Sequence, residues 1–364
     1  MKKRLASLDI LRGFDMFFIV GGAALIMALC VWAGFGKECV LCRQMIHVRW
    51  HGLAFMDTIF PLFLFIAGAA FPFSLAGQRE RGYGNRRIVL RIVKRALVLV
   101  VLGAVYNGVL STPDFAHARY PSVLARIGLG WAGAALLTVF LGVRARIGVA
   151  VATLAGYWAL LRFVPSPDAA PGADPFALES CLATWVDSAV LPAGKFDPEG
   201  VLSTIPAVVT GLLGVFTGEF LRRHRAEDEG AKPTLVLLAS AAALIAVGVV
   251  WANWFPINKK LWTSTFVLVV GGYSVAMLAA FHWLFDVRGW TRVGFFFKVI
   301  GMNSITIYLV KRIVGFDAAN KLLFGGLAGL FAPEAGAVVL SVGFLVLVWV
   351  FLYFLYRKGL FLKV

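Results

Sequence analysis

The stretch His47-Val-Arg-Trp-His-Gly-Leu-Ala-Phe-Met-Asp57-Thr-Ile-Phe-Pro-Leu-Phe-Leu-Phe-Ile-Ala-Gly68 sets two histidines and a carboxylate at the mouth of a long apolar run. The run is long enough to cross a bilayer, and hydrocarbon penalises titratable groups by roughly 2.5–3.5 kcal/mol each on insertion scales. His47 and His51 lie where headgroup water is within reach. Asp57 lies about one helical turn further in, so its retention there points to function.

The whole chain shares this character. Of its 364 residues 60% are hydrophobic and only 15% charged, which excludes a soluble globular class and predicts an all-α, polytopic membrane protein. Apolar runs of spanning length occur near 14–34, 54–76, 91–110, 121–142, 147–164, 200–221, 233–252, 262–284, 296–315 and 335–356. That reading gives a bundle of about ten helices over a single transmembrane domain, 1–364, with both termini on one side. Met1-Lys2-Lys3-Arg4, then Ser7 and Asp9, lead into the first run without a small-residue cleavage site, so a retained first span is expected.

Lys and Arg orient the bundle. With the N-terminus cytoplasmic, inner loops collect Lys2–Arg4, the Arg79–Arg95 cluster, Arg144, Arg146, Arg222, Arg223, Arg225, Lys232, Arg288, Arg292, Lys298 and the Arg357–Lys363 tail, about twice the outer number. The net charge of +16 is read as this topogenic charge plus attraction to anionic lipid. A nucleic-acid partner is not expected.

The connection 165–199 is long and proline-rich, and the topology puts it outside. Cys39, Cys42 and Cys181 fall on the same side. There a Cys-x-x-Cys pair suits a disulfide, either within the pair or from one of the two to Cys181. Only His47 and His51 stand near enough in sequence to complete a zinc site, and no metal site is expected.

Polar residues in or beside the spans form two layers. Asp9, Arg12 and Asp15, three apart on one helical face, lie toward the inner side with Asn303 and Ser304. His47, His51, Asp57, Arg119, Arg126 and Asn258-Lys259-Lys260 lie toward the outer side. The two layers imply a polar cavity. Plain readings exist for most of them: an interfacial ion pair for Arg12, a membrane-surface anchor for His51 beside Trp50, interhelical hydrogen bonding for Asn303 and Ser304. His47 with Asp57 goes further, because a carboxylate that fixes a histidine tautomer and raises its basicity equips the ring for proton transfer near neutral pH.

Six islands in this order resemble one known family. They are Arg4-Leu-Ala-Ser7-Leu-Asp9-Ile-Leu-Arg12-Gly13; His47-x2-Trp50-x-Gly52-Leu53-x3-Asp57-x2-Phe60-Pro61-x2-Leu64-Phe65-Ile66-x-Gly68; Arg119-x-Pro121-x-Val123-Leu124-x-Arg126; Asp197-Pro-Glu-Gly200-x-Leu202-x-Thr204-Ile205; Pro256-x-Asn258-Lys259-x-Leu261-Trp262; and Gly301-Met302-Asn303-Ser304-Ile305. Together they are similar to the heparan-α-glucosaminide N-acetyltransferase family of transmembrane acyltransferases. The resemblance implies transfer of acetyl from cytoplasmic acetyl-CoA to the amine of a glucosamine-type sugar on the far side of the membrane. It implies that His47 is the active-site histidine, and that Arg126, Asn303 and Ser304 belong to segments lining the coenzyme pocket. Asp57 joins His47 as a catalytic candidate, Arg12 joins the coenzyme candidates, and Asn258 with Lys259 are the candidates for acceptor binding.

Three departures qualify the resemblance. The eukaryotic members carry an asparagine near the position of Ala23, where this chain reads Gly21-Gly22-Ala23-Ala24, and an asparagine at the position of His51. The large lumenal domain and extra leading span of those members have no counterpart, which suggests a compact bacterial relative in the inner membrane, with a homodimer left open. The alternative class is a carrier that moves an amino sugar or lipid-linked sugar without chemistry, since intramembrane charges and pairs such as Gly271-Gly272 suit either.

Overall fold

A computed structural model describes residues 5–362 except 112, 113, 116, 193 and 225–229. Lys2–Arg4, Arg225 and Lys363, counted above among the inner charges, lie outside the described residues. The protein is all-helical, with no strand among the described residues, and its long apolar helices make it a multi-pass membrane protein. In chain order the helices are α1 (Ala6–Phe17), α2 (Ala23–Trp32), α3 (Val40–Gln44), α4 (Phe55–Glu80), α5 (Asn85–Tyr106), α6 (Val123–Phe140), α7 (Val143–Phe163) and α8 (Leu182–Val190). They continue with α9 (Thr204–Arg223), α10 (Lys232–Trp251), α11 (Ser264–Phe281), α12 (Phe295–Met302), α13 (Ser304–Ile313), α14 (Phe316–Gly329) and α15 (Pro333–Arg357).

Eight stretches among the described residues are long and apolar enough to span: Ala6–Trp32, Phe55–Glu80, Val123–Phe140, Val143–Phe163, Thr204–Arg223, Lys232–Trp251, Ser264–Val287 and Pro333–Arg357. The other two runs expected from sequence are helical but different in kind. α5 is long, yet its first half carries Arg86, Arg87, Arg91, Lys94 and Arg95. The run near 296–315 breaks at Asn303 (φ −123°, ψ 24°) into α12 and α13, each too short to span alone.

The described residues fall into two compact units, one drawn from Met1–Val48, Ala54–Ile59 and Ala280–Lys363, the other from Arg49–Leu53 and Phe60–Ala279. In the first unit α1 packs on α12 and α14 on α15. The α1–α12 crossing is close because Gly13 and Gly301 meet backbone: a Cβ on Gly301 would collide with the Asp9 carbonyl oxygen, one on Gly13 with that of Phe297. Phe14, Phe17, Phe18 and Phe297 fill the flank of this crossing with edge-to-face contacts. Between α1 and α2 a π-helical turn spans Phe18–Gly22, and Lys311 of α13 donates to the carbonyls of Ile19 (3.2 Å) and Val20 (3.0 Å) there.

The second unit builds its core from α4, α5, α6, α9 and α11, around Leu64, Ala134, Leu212, Trp262 and Phe266. Here Gly214 and Gly218 of α9 lie against the carbonyls of Phe65 and Ala69. No larger residue fits that approach. Exposed apolar side chains such as Leu235, Val236 and Val249 on α10, and in the first unit Val346 and Val350 on α15, suit a lipid-facing surface, where lipid replaces the core that water would demand.

Candidate functional site

His47 and Asp57 come together in the first unit as the sequence suggested. His47 Nδ1 lies 2.8 Å from Asp57 Oδ1. Asp57, the third residue of α4, reaches back with Oδ2 to the N–H groups of Ala54 (3.1 Å) and Val48 (3.3 Å). An acidic group at this position takes the N–H of Ala54 just before the helix, as a capping residue does, ties in the loop at Val48, and sits favourably at the positive end of the helix. The carboxylate is 1% exposed and held from three sides, whereas the His47 side chain is 55% exposed. A fixed acceptor thus orients an accessible ring. With the proton on Nδ1 directed at Asp57, the lone pair falls on Nε2.

The loop bearing His47 is tied to the same helix, for Gln44 Oε1 at the end of α3 accepts from Phe55 N at 2.8 Å. Elsewhere in the unit Arg12 pairs with Asp9 at 3.6 Å across one turn. Asp15 is fully buried, with neither carboxylate oxygen hydrogen-bonded among the described residues. Asn303, at the break between α12 and α13, is also buried, and its side-chain amide has no hydrogen-bond partner among the described residues. Ser304 opens α13 beside it. Buried amide atoms without partners cost free energy, so Asn303 is a place where a ligand would gain hydrogen bonds ready-made.

The second unit gathers the remaining candidates. Arg126 is 1% exposed; its Nη2 donates to Ser203 Oγ and to Gly200 O (3.3 Å), while Nε and Nη1 have no hydrogen-bond partner among the described residues. Its guanidinium stacks 5.0 Å from the Trp262 ring centre. Asn258 is fully buried, takes the Leu261 N–H on Oδ1 (3.0 Å) and points Nδ2 at His51 Nδ1 (3.4 Å). Burial pushes the His51 pKa down, and the Asp174 charge offsets part of that. Lys260 extends over the Trp50 ring at 5.9 Å, and Trp50 Nε1 donates to Phe176 O (2.8 Å).

Several residues of this unit had no assigned role in the sequence. Arg119 grips Asp197 through two bonds (Nε–Oδ2 2.5 Å, Nη2–Oδ1 2.9 Å) and also meets Glu199; the hydrogen bond to Asp197 raises its pKa above the ordinary arginine range. Asp187 accepts from Val201 N (2.9 Å), and burial raises its pKa. Trp262 is buried at φ 53°, a left-handed conformation rare for a bulky residue, with Nε1 bonded to Thr210 Oγ1 (3.1 Å). A basic cleft of about 440 Å³ lies among α4, α5 and α6, lined by Arg81, Arg91, Arg95 and Trp131.

The cysteines converge differently from either disulfide reading. Cys39 and Cys42 meet Cys30. Cys181 instead caps α8, its sulfur accepting from Thr184 N (3.4 Å).

A family model described as "Domain of unknown function (DUF5009)" matches residues 4–114, the part that holds both α1 and the His47–Asp57 pair. Over most of its length the chain also aligns with proteins named heparan-alpha-glucosaminide N-acetyltransferase, at 27% identity to the mouse protein across 85% of this chain and 54% of the relative, and at 27% to the human protein across 83% and 53%. The chain is a distant relative of these N-acetyltransferases. It spans about half the length of the curated relatives it matches.

Proposed function

We propose that the protein is a membrane-embedded acetyltransferase that moves acetyl from acetyl-CoA to the amine of a glucosamine-type sugar. The observation carrying this reading is the His47–Asp57 pair: a buried carboxylate anchored by two backbone N–H groups and aimed at an accessible imidazole. In the proposed step His47 Nε2 takes a proton from the acceptor amine as the nitrogen attacks the thioester carbonyl, and the thiolate of coenzyme A leaves. Asp57 keeps the ring in the required tautomer and stabilises the imidazolium that forms. Acetyl transfer through His47 itself is the rival course, marked by a burst of free thiol when acceptor is withheld.

Donor binding is assigned to Arg12, Arg126, Asn303 and Ser304, and acceptor binding to Asn258 and Lys259. Arg81 and Arg91 of the basic cleft are suited to coenzyme phosphates, because guanidinium groups bind phosphate oxygens in pairs. The donor is taken from the cytoplasm and the sugar from the outer side, with both termini cytoplasmic in a bacterial inner membrane.

Purified protein in detergent or vesicles, given radiolabelled acetyl-CoA and glucosamine, should form labelled N-acetylglucosamine. His47→Ala should lower turnover by about 10²–10⁴, the usual cost of a lost general base, with normal yield of folded protein. Asp57→Asn should give a smaller loss. Glucosamine uptake into vesicles without acetylation would favour the carrier instead, and a His47→Ala variant keeping more than about a tenth of parental turnover removes His47 from the chemistry.

A further inference from the structure

Between α2 and α3 the chain reverses through Gly34 and Gly36, both at positive φ (80° and 71°). Their freedom to adopt that conformation returns the chain so that Cys39 and Cys42 face Cys30. The three Sγ atoms lie within 4.8 Å of one another. Cys30 and Cys42 are buried, Cys39 is half-buried, and all are free thiols. The Cys39 sulfur caps α3 by accepting from Cys42 N at 3.4 Å, and Cys42 Sγ donates to Gly36 O at 3.6 Å.

We propose that Cys30, Cys39 and Cys42 form a trithiolate site for a thiophilic d10 cation, Zn(II) or Cu(I). Metal–sulfur bonds near 2.3 Å set ligand sulfurs about 4 Å apart, inside the spacing already present. A disulfide would join two of the sulfurs and leave the third unused; a cation uses all three. Thiolates select Cu(I) and Zn(II) among common ions by their softness. No imidazole or carboxylate joins the cluster among the described residues, so Cu(I) would be held trigonally. Zn(II) would take water as its fourth ligand through the exposed side of Cys39.

Binding forms three metal–sulfur bonds and releases three thiol protons to water, leaving a net charge of −2 with Cu(I) and −1 with Zn(II). Cys39, half-buried where Cys30 and Cys42 are buried, is the ligand open to an incoming cation. A loaded site would also clamp α3 to the end of α2. Since Gln44 of α3 holds Phe55 N, this steadies the loop that carries His47. The metal site itself does not depend on the acetyltransferase reading.

The test uses full-length protein, reduced and then freed of reductant under argon, titrated with Zn(II) or Cu(I) against a chromophoric chelator. One equivalent of one of the two ions should bind per chain. Cys39→Ser should abolish that stoichiometric binding while folding normally, because serine is itself a good helix N-cap. Cys181→Ser should bind like the parent. The proposal fails if neither ion binds better to the parent than to Cys39→Ser. It fails equally if thiol blocking in intact cells followed by peptide mapping finds a disulfide between any two of the three. Neither readout involves acetyl transfer, so a failure here leaves the enzymatic reading standing, and the reverse.

Discussion

Arg126 lies buried against Trp262, its guanidinium 5.0 Å from the ring centre, and meets a hydroxyl and a carbonyl without a carboxylate in ion-pair contact among the described residues. Such a cation is costly to hold, because the interior offers too little to replace its hydration. Trp262 adds backbone strain of about 1–3 kcal/mol at its positive φ. Two unfavourable features in contact mark a place kept for function.

Stability and activity should therefore separate at Arg126. Arg126→Met, which keeps the stacking volume and removes a buried charge without an ion-pair partner among the described residues, should unfold near the parental temperature, because a buried charge is costly to desolvate. Acetyl transfer should fall with it. Trp262→Ala should instead cost about 3–5 kcal/mol, as truncation of a buried aromatic does. Thermal unfolding in detergent beside turnover measures both. A destabilised Arg126→Met with normal turnover contradicts the assignment.

The contact between His51 and Asn258 should weaken on acidification. Burial depresses the His51 pKa, so the fold favours the neutral ring. The stability this contributes is present above the unfolded value near 6.5 and is lost as pH falls through the lower folded value. Unfolding temperature should drop more between pH 7.5 and 5 for the parent than for His51→Asn, the residue expected in eukaryotic members. The ring is largely exposed, so the difference should be small. Equal slopes would show that His51 titrates alike in both states.

Much of this was legible in the sequence where partners are close along the chain. His47 and Asp57 are ten positions apart across one turn and a helix start, so a carboxylate beside a histidine could be expected. Arg119 and Asp197 are separated by 78 positions, and no local periodicity reports such a pairing. The Cys-x-x-Cys pair was visible, but Cys30 joins it only because two glycines fold the chain back. Hydropathy alone also hides the break at Asn303, which needs a local backbone angle to be seen. Gly325, Gly326 and Gly329 in α14 obscure a helical pattern, since glycine is a poor helix former.

The proposed sidedness rests on the charge bias, with α5 counted as a crossing, and can be read with thiol labels. Gly82 and Gly172 stand at left-handed φ, where cysteine would be strained. Gly84 has ordinary backbone angles with open space around it, and Ala173 is exposed, so both accept cysteine. In a background with Cys30, Cys39, Cys42 and Cys181 replaced by serine, an impermeant maleimide should label Ala173→Cys in intact cells and Gly84→Cys only after lysis. The reverse pattern would invert the proposed direction of transfer.

Donor and acceptor contacts should separate in steady-state kinetics. Asn303→Ala removes a buried amide without a partner among the described residues, so it should cost little stability and raise the apparent KM for acetyl-CoA far more than for glucosamine. Arg12→Gln should act in the same direction, more weakly, because its pairing with Asp9 already engages it. Arg81→Gln with Arg91→Gln should raise KM several-fold for acetyl-CoA and scarcely for an acetyl-pantetheine donor that lacks the nucleotide, which distinguishes phosphate binding in the cleft from a general effect of lost charge on membrane insertion. Lys259→Gln should do the opposite, raising KM for the sugar, and Asn258→Ala should do so with some loss of stability, since its amide also braces the turn at Leu261. If Asn303→Ala and Lys259→Gln shift both constants equally, the division into donor and acceptor residues is wrong even where His47→Ala remains inactive.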